Sequence, residues 1–338
     1  MLARYDVKAR FREGYSPFLG YTGFMVRGAL GYSLKKLVCD DLSRRCSTCS
    51  LAAKCFYAYF FETSSTIKPD ARLAVKGGRS GVTKPYTVTP VKVKGRALSF
   101  SITLFGRRAL DAEPVIVASI ISMGSRGLGI DPTLGDRRRF EVEEVVAVDP
   151  LNQTSRLVFS KYKGYIYSSE KARSYDLIEA LKPKAEGLAA AKPSQVTLHL
   201  KTPTQLRAAG KPLHEPSFRS IIANLARKYS LLAHYHELGT PLKAEQAKKI
   251  IDAAAQAQLV EAKVTPIKLK KYSLEEGRIK GFGPFIKGTL TYKLPLTLWR
   301  SEHGVEILTL LLLGQLTGIG SLTTAGCGQY TLSFTLEG

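Results

Sequence analysis

The sequence predicts an α+β fold made of two tandem ferredoxin-like (RRM-like) domains. Both halves of the 338-residue chain show the order strand, helix, strand, strand, helix, glycine turn, strand. This order is the split β-α-β motif, and its recurrence indicates an internal duplication. The length fits about two domains, and an apolar content of 44% is enough to fill their cores.

The first domain is predicted over residues 1–150. Apolar and polar residues alternate at the start of the chain, which indicates a strand, and the next apolar residues have helical spacing. The predicted elements are a strand over 3–11, a helix over 24–38, a strand over 98–104, a helix over 113–123 and a strand over 140–148.

Residues 151–195 have weak periodicity and are interpreted as a linker, so the second domain is predicted over 196–338. Thr240 and Pro241 resemble an N-cap followed by proline at the first helical position, which predicts a helix there. The other predicted elements are strands over 196–200, 263–271, 285–294 and 330–336, and helices over 218–232 and 306–316.

The chain is strongly basic. It has 50 Lys and Arg residues against 28 Asp and Glu residues, a formal charge of +22. Such an excess indicates a polyanionic partner, most simply a nucleic acid. A membrane surface is the alternative, but no basic amphipathic helix carries Trp or Phe anchors and no apolar run reaches membrane length. Because no signal peptide opens the sequence, we expect a cytoplasmic protein without a membrane partner.

Four of the five cysteines form one cluster, Cys39-x6-Cys46-x2-Cys49-x5-Cys55. Clustered cysteines around a central C-x2-C indicate a metal site, and four thiolates suit a structural zinc ion inserted in the first domain. An iron–sulfur cluster uses the same ligands. Disulfides or free thiols are the remaining alternatives. The fifth cysteine, Cys327, is expected to be a small buried side chain.

A glycine-rich segment lies between the last predicted helix and the last strand. Its glycines are Gly318, Gly320, Gly326 and Gly328, a G-x-G-x5-G-x-G pattern. Glycine lacks a Cβ atom, so such a loop lets backbone N–H groups approach a phosphate closely. A tight helix–strand turn is the ordinary alternative.

Several segments together resemble a known family. They are Arg27-Gly-Ala-Leu-Gly31-Tyr-Ser-Leu-Lys-Lys-Leu-Val-Cys39, Cys46-x2-Cys49-x5-Cys55-x3-Tyr59-Phe-Phe-Glu62, Ser99-Phe-Ser-Ile-Thr-Leu-Phe105-Gly106, Gly127-Leu-Gly129, Thr202-Pro203-Thr204 and the terminal glycine loop. The chain resembles the CRISPR precursor-RNA-processing endoribonucleases of the RAMP superfamily, in particular the branch with a cysteine cluster after the first helix.

The resemblance implies two tandem RAMP domains that bind CRISPR repeat RNA and cut the precursor transcript once per repeat. In this family the ribose 2′-OH attacks the adjacent phosphate without a catalytic metal, leaving a cyclic phosphate and a 5′-OH. The reaction needs a base, an acid and a cation near the phosphorus. Subunits of a CRISPR effector complex are further partners that the resemblance implies.

Better-known relatives carry a catalytic histidine in or near the first helix, but no histidine precedes His199 in this sequence. The candidates in that stretch are Tyr32, Lys35 and Lys36, although exposed lysine is common without any catalytic role. Among the histidines we favour His214, because it lies in a predicted loop and loops often carry catalytic groups.

Two sets of residues are expected to bind RNA. The glycine-loop set is Gly318, Gly320, Ser321, Thr323, Gly326 and Gly328, and the basic set is Arg126, Arg137, Arg138, Arg139, Lys268, Lys270 and Lys271. Two rival functions remain open at this point. One is a non-catalytic RAMP subunit that holds guide RNA in an effector complex, and the other is a redox or sensor protein built around the cysteines.

Overall fold

Strand β1 (Leu2–Phe11) lies at the centre of the first sheet, with β4 on one side and β7 on the other. Its alternation places Tyr5, Val7, Ala9 and Phe11 in the core and charged residues on the opposite face. One face of an antiparallel sheet can be solvated while the other packs against helices. This confirms the strand predicted from the alternation.

The computed structural model describes residues 1–13, 18–68, 70, 82–130, 135–166, 176–273 and 278–336. It divides the chain into two units. The first contains Met1–Ser174, Tyr235–Glu237 and Lys270–Ile279, and the second contains Tyr175–His234, Leu238–Leu269 and Lys280–Gly338. Among the described helices, none combines the length and apolar character needed to cross a membrane.

The first unit is a mixed helix and sheet layer. Its sheet runs β2-β4-β1-β7-β8-β9, β3 also pairs with β4, and these strand pairs are antiparallel. After β1 the elements are α1 (Thr22–Val38), α2 (Phe56–Phe61), β2 (Tyr86–Val88), β3 (Lys92–Lys94), β4 (Ala97–Phe105), α3 (Arg107–Asp111), α4 (Glu113–Arg126), β5 (Leu128–Ile130), β6 (Arg137–Arg138), β7 (Phe140–Asp149), β8 (Thr154–Ser160) and β9 (Gly164–Tyr165).

A buried carboxylate connects α4 to the sheet. Glu113, in the first turn of α4, accepts hydrogen bonds from the hydroxyls of Tyr5 at 2.8 Å and Tyr165 at 3.1 Å. It also forms an ion pair with Arg156 of β8. A carboxylate at a helix N-terminus is favoured by the helix dipole, and here its oxygens are also hydrogen-bonded.

The second unit has a sheet in the order β13-β14-β10-β15. Numbering these strands by their order within the unit gives 2-3-1-4, the ferredoxin-like arrangement. Its elements are α5 (Leu177–Ala190), β10 (Gln195–Thr204), β11 (Arg207–Ala208), β12 (Lys211–Pro212), α6 (Phe218–His236), α7 (Ala244–Ala254), β13 (Gln258–Ser273), β14 (Arg278–Lys293), α8 (His303–Thr317) and β15 (Tyr330–Thr335).

The segment interpreted as a linker contains regular structure. Residues 151–195 include β8, β9 and α5. Helix α5 begins where the Asp176 carboxylate accepts a hydrogen bond from the Ile178 N–H at 2.9 Å. Its only buried residues are Leu177, Leu181 and Ala185, so its apolar periodicity is weak.

The helix predicted to open at Thr240 begins later. Helix α7 starts at Ala244, and its N-cap is Lys243. The backbone N–H of Thr240 instead donates to the Asp176 carboxylate at 3.0 Å. A tertiary hydrogen bond therefore holds residue 240 outside the helix, although the dipeptide itself suits a helix start.

Candidate nucleic-acid interface

The glycine-rich loop runs from the end of α8 to β15. At two of its positions any residue larger than glycine would be strained. Gly320 and Gly328 have φ angles of 75° and 77°, in the left-handed region that L side chains rarely adopt. A Cβ atom on Gly320 would collide with the carbonyl of Gln205, and one on Gly328 with the carbonyl of Ile319. The loop therefore depends on glycine for both conformation and space.

Backbone hydrogen bonds fix the loop against the end of β10. The Ile319 N–H donates to Gly328 O at 2.8 Å, and the Gly328 N–H donates to Pro203 O at 3.0 Å. The Ser321 N–H donates to Gln205 O at 2.9 Å. Several loop N–H groups are therefore already paired inside the protein and are not available to a ligand.

The exposed part of the loop is its middle. Gly318, Gly326 and Gly328 are buried, whereas Gly320, Ser321 and Thr323 are partly exposed. Within the described residues, the backbone N–H groups of 322–324 have no acceptor. The six predicted loop residues thus divide into three that are buried and three that are partly exposed, and of the exposed three only Ser321 and Thr323 carry a side chain that a phosphate could reach.

In the first unit, a tyrosine and two arginines come together. Tyr32 on α1 is 38% exposed, and the guanidinium carbon of Arg126 lies 3.3 Å from the centre of its ring. Burial, and next the charge of Arg126, lower the pKa of Arg137. In the part of the chain that the structure describes, neither arginine side chain has a carboxylate within ion-pair distance. The surface formed by Tyr32, Arg126 and Arg137 is called the Tyr32 cluster below.

The other arginines of the basic run have different surroundings. Arg138 is 5% exposed, and its guanidinium stacks on Phe18 at 4.6 Å. Arg139 is exposed and pairs with Asp136 at 3.4 Å. Of the predicted run, therefore, only Arg137 joins the Tyr32 cluster.

The remaining catalytic candidates, Lys35, Lys36 and His214, have different surroundings. The Lys35 ammonium donates to the carbonyl of Leu42 at 2.6 Å, so it supports the cysteine segment. Lys36 is exposed and lies one helical turn after Tyr32, on the same side of α1. His214 is exposed in the second unit and has no hydrogen bond to another described residue.

Three other histidines have structural partners. His199 lies 2.8 Å from the Ser333 hydroxyl, and His303 lies 2.8 Å from the Glu306 carboxylate. His236, grouped with the first unit, is buried, and burial lowers its pKa to about 4. Such a histidine stays neutral near neutral pH and is hydrogen-bonded inside the fold.

The three predicted lysines on β13 are exposed. Lys268 and Lys270 share one face of the strand, and Lys271 points to the other face. The Lys270 carbonyl accepts a hydrogen bond from the Tyr21 N–H at 3.1 Å. The lysine side chains are therefore available to solvent, as a phosphate-binding role requires.

The four clustered cysteines occupy turns. Cys39 follows α1, Cys46 and Cys49 flank one short turn, and Cys55 precedes α2. All four are free and partly buried. Burial raises the pKa of Cys46, and the charge of Glu62 raises it further, while Cys55 and Cys39 add smaller effects. Within the described ranges, however, no three Cys, His, Asp or Glu side chains are gathered closely enough to hold a metal.

Two residues of α6 that the sequence did not single out contact the glycine loop. The Lys228 ammonium and the Asn224 carboxamide both hydrogen-bond to it. The signal in the sequence was weak: Asn224 and Lys228 are four residues apart, which places both side chains on one face of the helix, but α6 contains several other polar residues.

Two family models match the chain. Residues 1–172 match AF_1859_N, described as an N-terminal domain, and residues 198–330 match the CRISPR-associated endoribonuclease Cas6 model. No curated protein matches the sequence.

Solved structures share the fold over nearly the whole chain. A Cas6 (TTHB231) product complex has a TM-score of 0.56 at 14% identity, covering 98% of this chain and 100% of that one. Thermus thermophilus Cas6 (TTHB231) has a TM-score of 0.51 at 14% identity, covering 98% of both chains. A partial Cas6-RT-Cas1–Cas2 complex gives 0.55 at 12% identity, covering 99% of this chain and 46% of that one. At these identities the likeness concerns the fold, and it confirms the predicted tandem ferredoxin-like architecture.

Substituting Gly328 by Ala should destabilise the second unit more than substituting Gly210 by Ala. Both glycines have positive φ, 77° and 81°, so both changes carry a backbone cost of roughly 1–2 kcal/mol. Only at Gly328 does the added Cβ also meet backbone, because nothing lies within 4 Å of a Cβ at Gly210. Urea unfolding of both variants measures the difference. Equal losses would contradict the packing described for the loop.

Proposed function

The chain belongs to the family that the N-terminal-domain model defines and carries a Cas6-family domain over residues 198–330, and on this basis we propose that it is an endoribonuclease that matures CRISPR RNA. In this proposal the protein is cytoplasmic, as its substrate is. It binds the repeat portion of the precursor transcript and cuts it by attack of the 2′-OH without a catalytic metal. The observation that carries the catalytic part is the Tyr32 cluster. Two guanidiniums that have no ion-pair partner among the described residues, beside an exposed phenol, suit a phosphate whose charge rises during the reaction.

Each group in the cluster has a role in the proposed reaction. The bond from the 2′-oxygen to phosphorus forms, the bond from phosphorus to the 5′-oxygen breaks, and the 2′-OH proton passes to solvent. Tyr32 protonates the departing 5′-oxygen and is reprotonated from water. Arg126 and Arg137 donate hydrogen bonds to the non-bridging oxygens, and arginine suits this because its planar fork matches phosphate geometry.

Binding is assigned to other residues. The exposed middle of the glycine loop contacts the RNA backbone through the Ser321 hydroxyl, Thr323 and the backbone N–H groups of 322–324, and the glycines, Gly320 included, hold its shape. Lys268, Lys270 and Lys271 add electrostatic attraction along β13. A net charge of +22 favours this partner, because contacts to phosphates dominate the affinity of nucleic-acid-binding proteins.

A second candidate is a non-catalytic subunit that holds guide RNA within an effector complex. The observation that favours it is the absence of histidine from the first 198 residues of the sequence, since histidine is the commonest acid–base group at neutral pH. This candidate predicts tight RNA binding without a cut.

The two candidates differ in one experiment. The purified chain is incubated with labelled CRISPR repeat RNA in excess EDTA. We expect one cut per repeat, and we expect a single 2′-deoxy substitution at the mapped site to abolish it, because that substitution removes the nucleophile. Binding without a cut would favour the non-catalytic subunit. A cut that EDTA stops would contradict the metal-independent reaction.

Tyr32→Phe and Arg126→Gln test the catalytic assignment. Tyr32→Phe keeps the ring on which Arg126 stacks and removes the proton donor, so the single-turnover rate should fall about 10²–10⁴-fold. Arg126→Gln removes a cation from the phosphate and should cost about 10²–10³-fold. RNA affinity should change little in Tyr32→Phe.

Arg139→Gln is the matched control, because Arg139 is an exposed arginine already paired with Asp136. Its rate should stay within about threefold of wild type, as expected for an exposed ion pair. Alanine substitutions of Lys35, Lys36 and His214 complete the set of candidates. Full activity in both Tyr32→Phe and Arg126→Gln would show that the cluster is not catalytic.

For the cysteine segment we propose one structural zinc ion, which gathers the four thiols when it binds. Metal binding of this kind is coupled to folding of the segment, so separated thiols in the free chain are compatible with it. The support is the spacing of the four cysteines, which all lie in the turns of one short segment between α1 and α2.

Elemental analysis of the purified protein should find about one zinc per chain. Cys46→Ser and Cys49→Ser should each lose the metal, and Cys327→Ser should keep it because Cys327 is buried in the other unit. A brown protein that contains iron would favour the iron–sulfur alternative. Metal-free protein with unchanged thermal stability would contradict a structural metal.

A further inference from the structure

Lys228 lies on α6 directly against the glycine-rich loop. Its Nζ atom donates to the carbonyl of Thr317 at 2.8 Å, the carbonyl of Gly318 at 2.9 Å and the hydroxyl of Thr323 at 3.1 Å. An ammonium group has three hydrogens, so all of its donors are used within the protein. The side chain is only partly exposed, which distinguishes it from the many solvated lysines of this chain.

Asn224 lies one turn earlier on the same face of α6. Its Oδ1 atom accepts a hydrogen bond from the Gly320 N–H at 2.8 Å. Lys228 therefore contacts the start of the loop and its exposed Thr323, while Asn224 contacts the segment between them. Together the two side chains hold the part of the loop that remains open to a ligand.

The charge of Lys228 has a local electrostatic effect. Thr317 ends α8 and Gly318 is its C-cap, so their carbonyls lie at the negative end of the helix dipole. Without a cation, these carbonyls would repel a phosphate near the loop. An ammonium group directly bonded to them offsets that potential, and its charge is weakly screened because it is partly removed from water.

We propose that Lys228 is a positioning residue of the RNA-binding loop. Its hydrogen bonds keep the loop in its conformation, and its positive charge attracts the RNA phosphate that binds there. The proposal rests on the assignment of this loop to RNA binding. It adds a residue inside the fold to the exposed loop residues and strand lysines, and it separates affinity from the bond-breaking chemistry assigned to the Tyr32 cluster.

The same environment makes the charge sensitive to pH. Burial lowers the pKa of Lys228 to about 7, and no charged side chain contributes to this shift. The groups bonded to Nζ are two carbonyls and a hydroxyl from α8 and the loop, and Asn224 on its own helix is neutral. RNA affinity should therefore fall as pH rises through about 7.

The free energy of unfolding should change in the opposite direction. The ordinary lysine pKa is 10.5, so between pH 7 and 10.5 the unfolded chain holds a proton that the folded chain has released. For this group, stability rises with pH through that window. A purely structural lysine would not weaken RNA binding while the fold becomes more stable.

The test uses Lys228→Met, with Lys248→Met as the matched control. Lys248 lies on α7 in the same unit, is exposed and has no ion pair among the described residues. The dissociation constant for CRISPR repeat RNA is measured for each protein at about pH 6 and about pH 8.5 at one salt concentration, because salt alone changes affinity. The single-turnover cleavage rate is measured at saturating protein.

We expect wild type to bind more tightly at the lower pH. Lys228→Met should bind about tenfold more weakly there, the equivalent of one hydrogen-bonded charge, and should lose this pH dependence. Its cleavage rate at saturation should stay near that of wild type. Lys248→Met should keep both the affinity, within about threefold, and the pH dependence.

Wild-type affinity that does not change with pH would overturn the proposal, as would a Lys228→Met protein with wild-type affinity. If Lys228→Met does not fold, Lys228→Gln decides, because it removes the charge and keeps a hydrogen-bonding side chain at that position. Lys228→Gln should weaken binding and lose the pH dependence, and unchanged affinity in this variant would overturn the proposal. RNA binding without a cut would remove the proposed enzymatic activity and leave the Lys228 result measurable, whereas no binding by wild type would overturn both.

Discussion

The pairing of β15 with β10 is the constraint on which the shape of the second unit's glycine-rich loop depends. β15 pairs with β10 along Gln195–Leu200, and the glycine loop must therefore return from α8 to that sheet within the twelve residues 318–329. The carbonyls of Pro203 and Gln205, just beyond the paired segment, accept hydrogen bonds from the loop. The close approach excludes side chains at Gly320 and Gly328 and uses several loop donors. The glycines thus shape the loop, and the residues open to a ligand are the few between them.

Charge is distributed unevenly in the first unit. On the exposed face of β1, Arg4, Lys8 and Arg10 each have an acidic neighbour within 3.0 Å. Arg126 and Arg137 lie close together, and neither guanidinium forms an ion pair with a described residue, although the backbone N–H of Arg137 donates to the Asp136 carboxylate at 2.6 Å. Two like charges held near one another raise the free energy of the folded protein, unless an anion is bound between them. Stacking of Arg126 on Tyr32 offsets part of this cost and fixes the guanidinium plane. Two guanidiniums held in this way, without an ion pair to a described residue, are consistent with the phosphate-binding role proposed for them.

Much of the fold could be predicted because its signals are local. The alternation of β1 and the apolar spacing of α6 identified those elements directly. Helix α5 escaped prediction because only three of its residues are buried, and the position of Thr240 depends on Asp176, which is remote in sequence. The candidate site was harder to predict from the sequence. The sequence could group Arg137, Arg138 and Arg139 as one basic run, but only the folded chain distinguishes an arginine near Tyr32 from one stacked on Phe18 and one paired with Asp136.

The role proposed for Lys228 could not be predicted from the basic composition of the chain. Among 50 Lys and Arg residues, one more lysine in a helix carries no signal, and the usual expectation is a solvated side chain. Its three acceptors come from a segment about ninety residues later in the chain. A lysine in that position costs desolvation, which the fold tolerates because every N–H finds an oxygen. The attraction between exposed lysines and RNA acts over a distance and is screened by salt. The charge of Lys228, held against the loop by hydrogen bonds, acts only on a phosphate bound at the loop. Attraction and positioning are therefore separate tasks, carried by lysines in different environments.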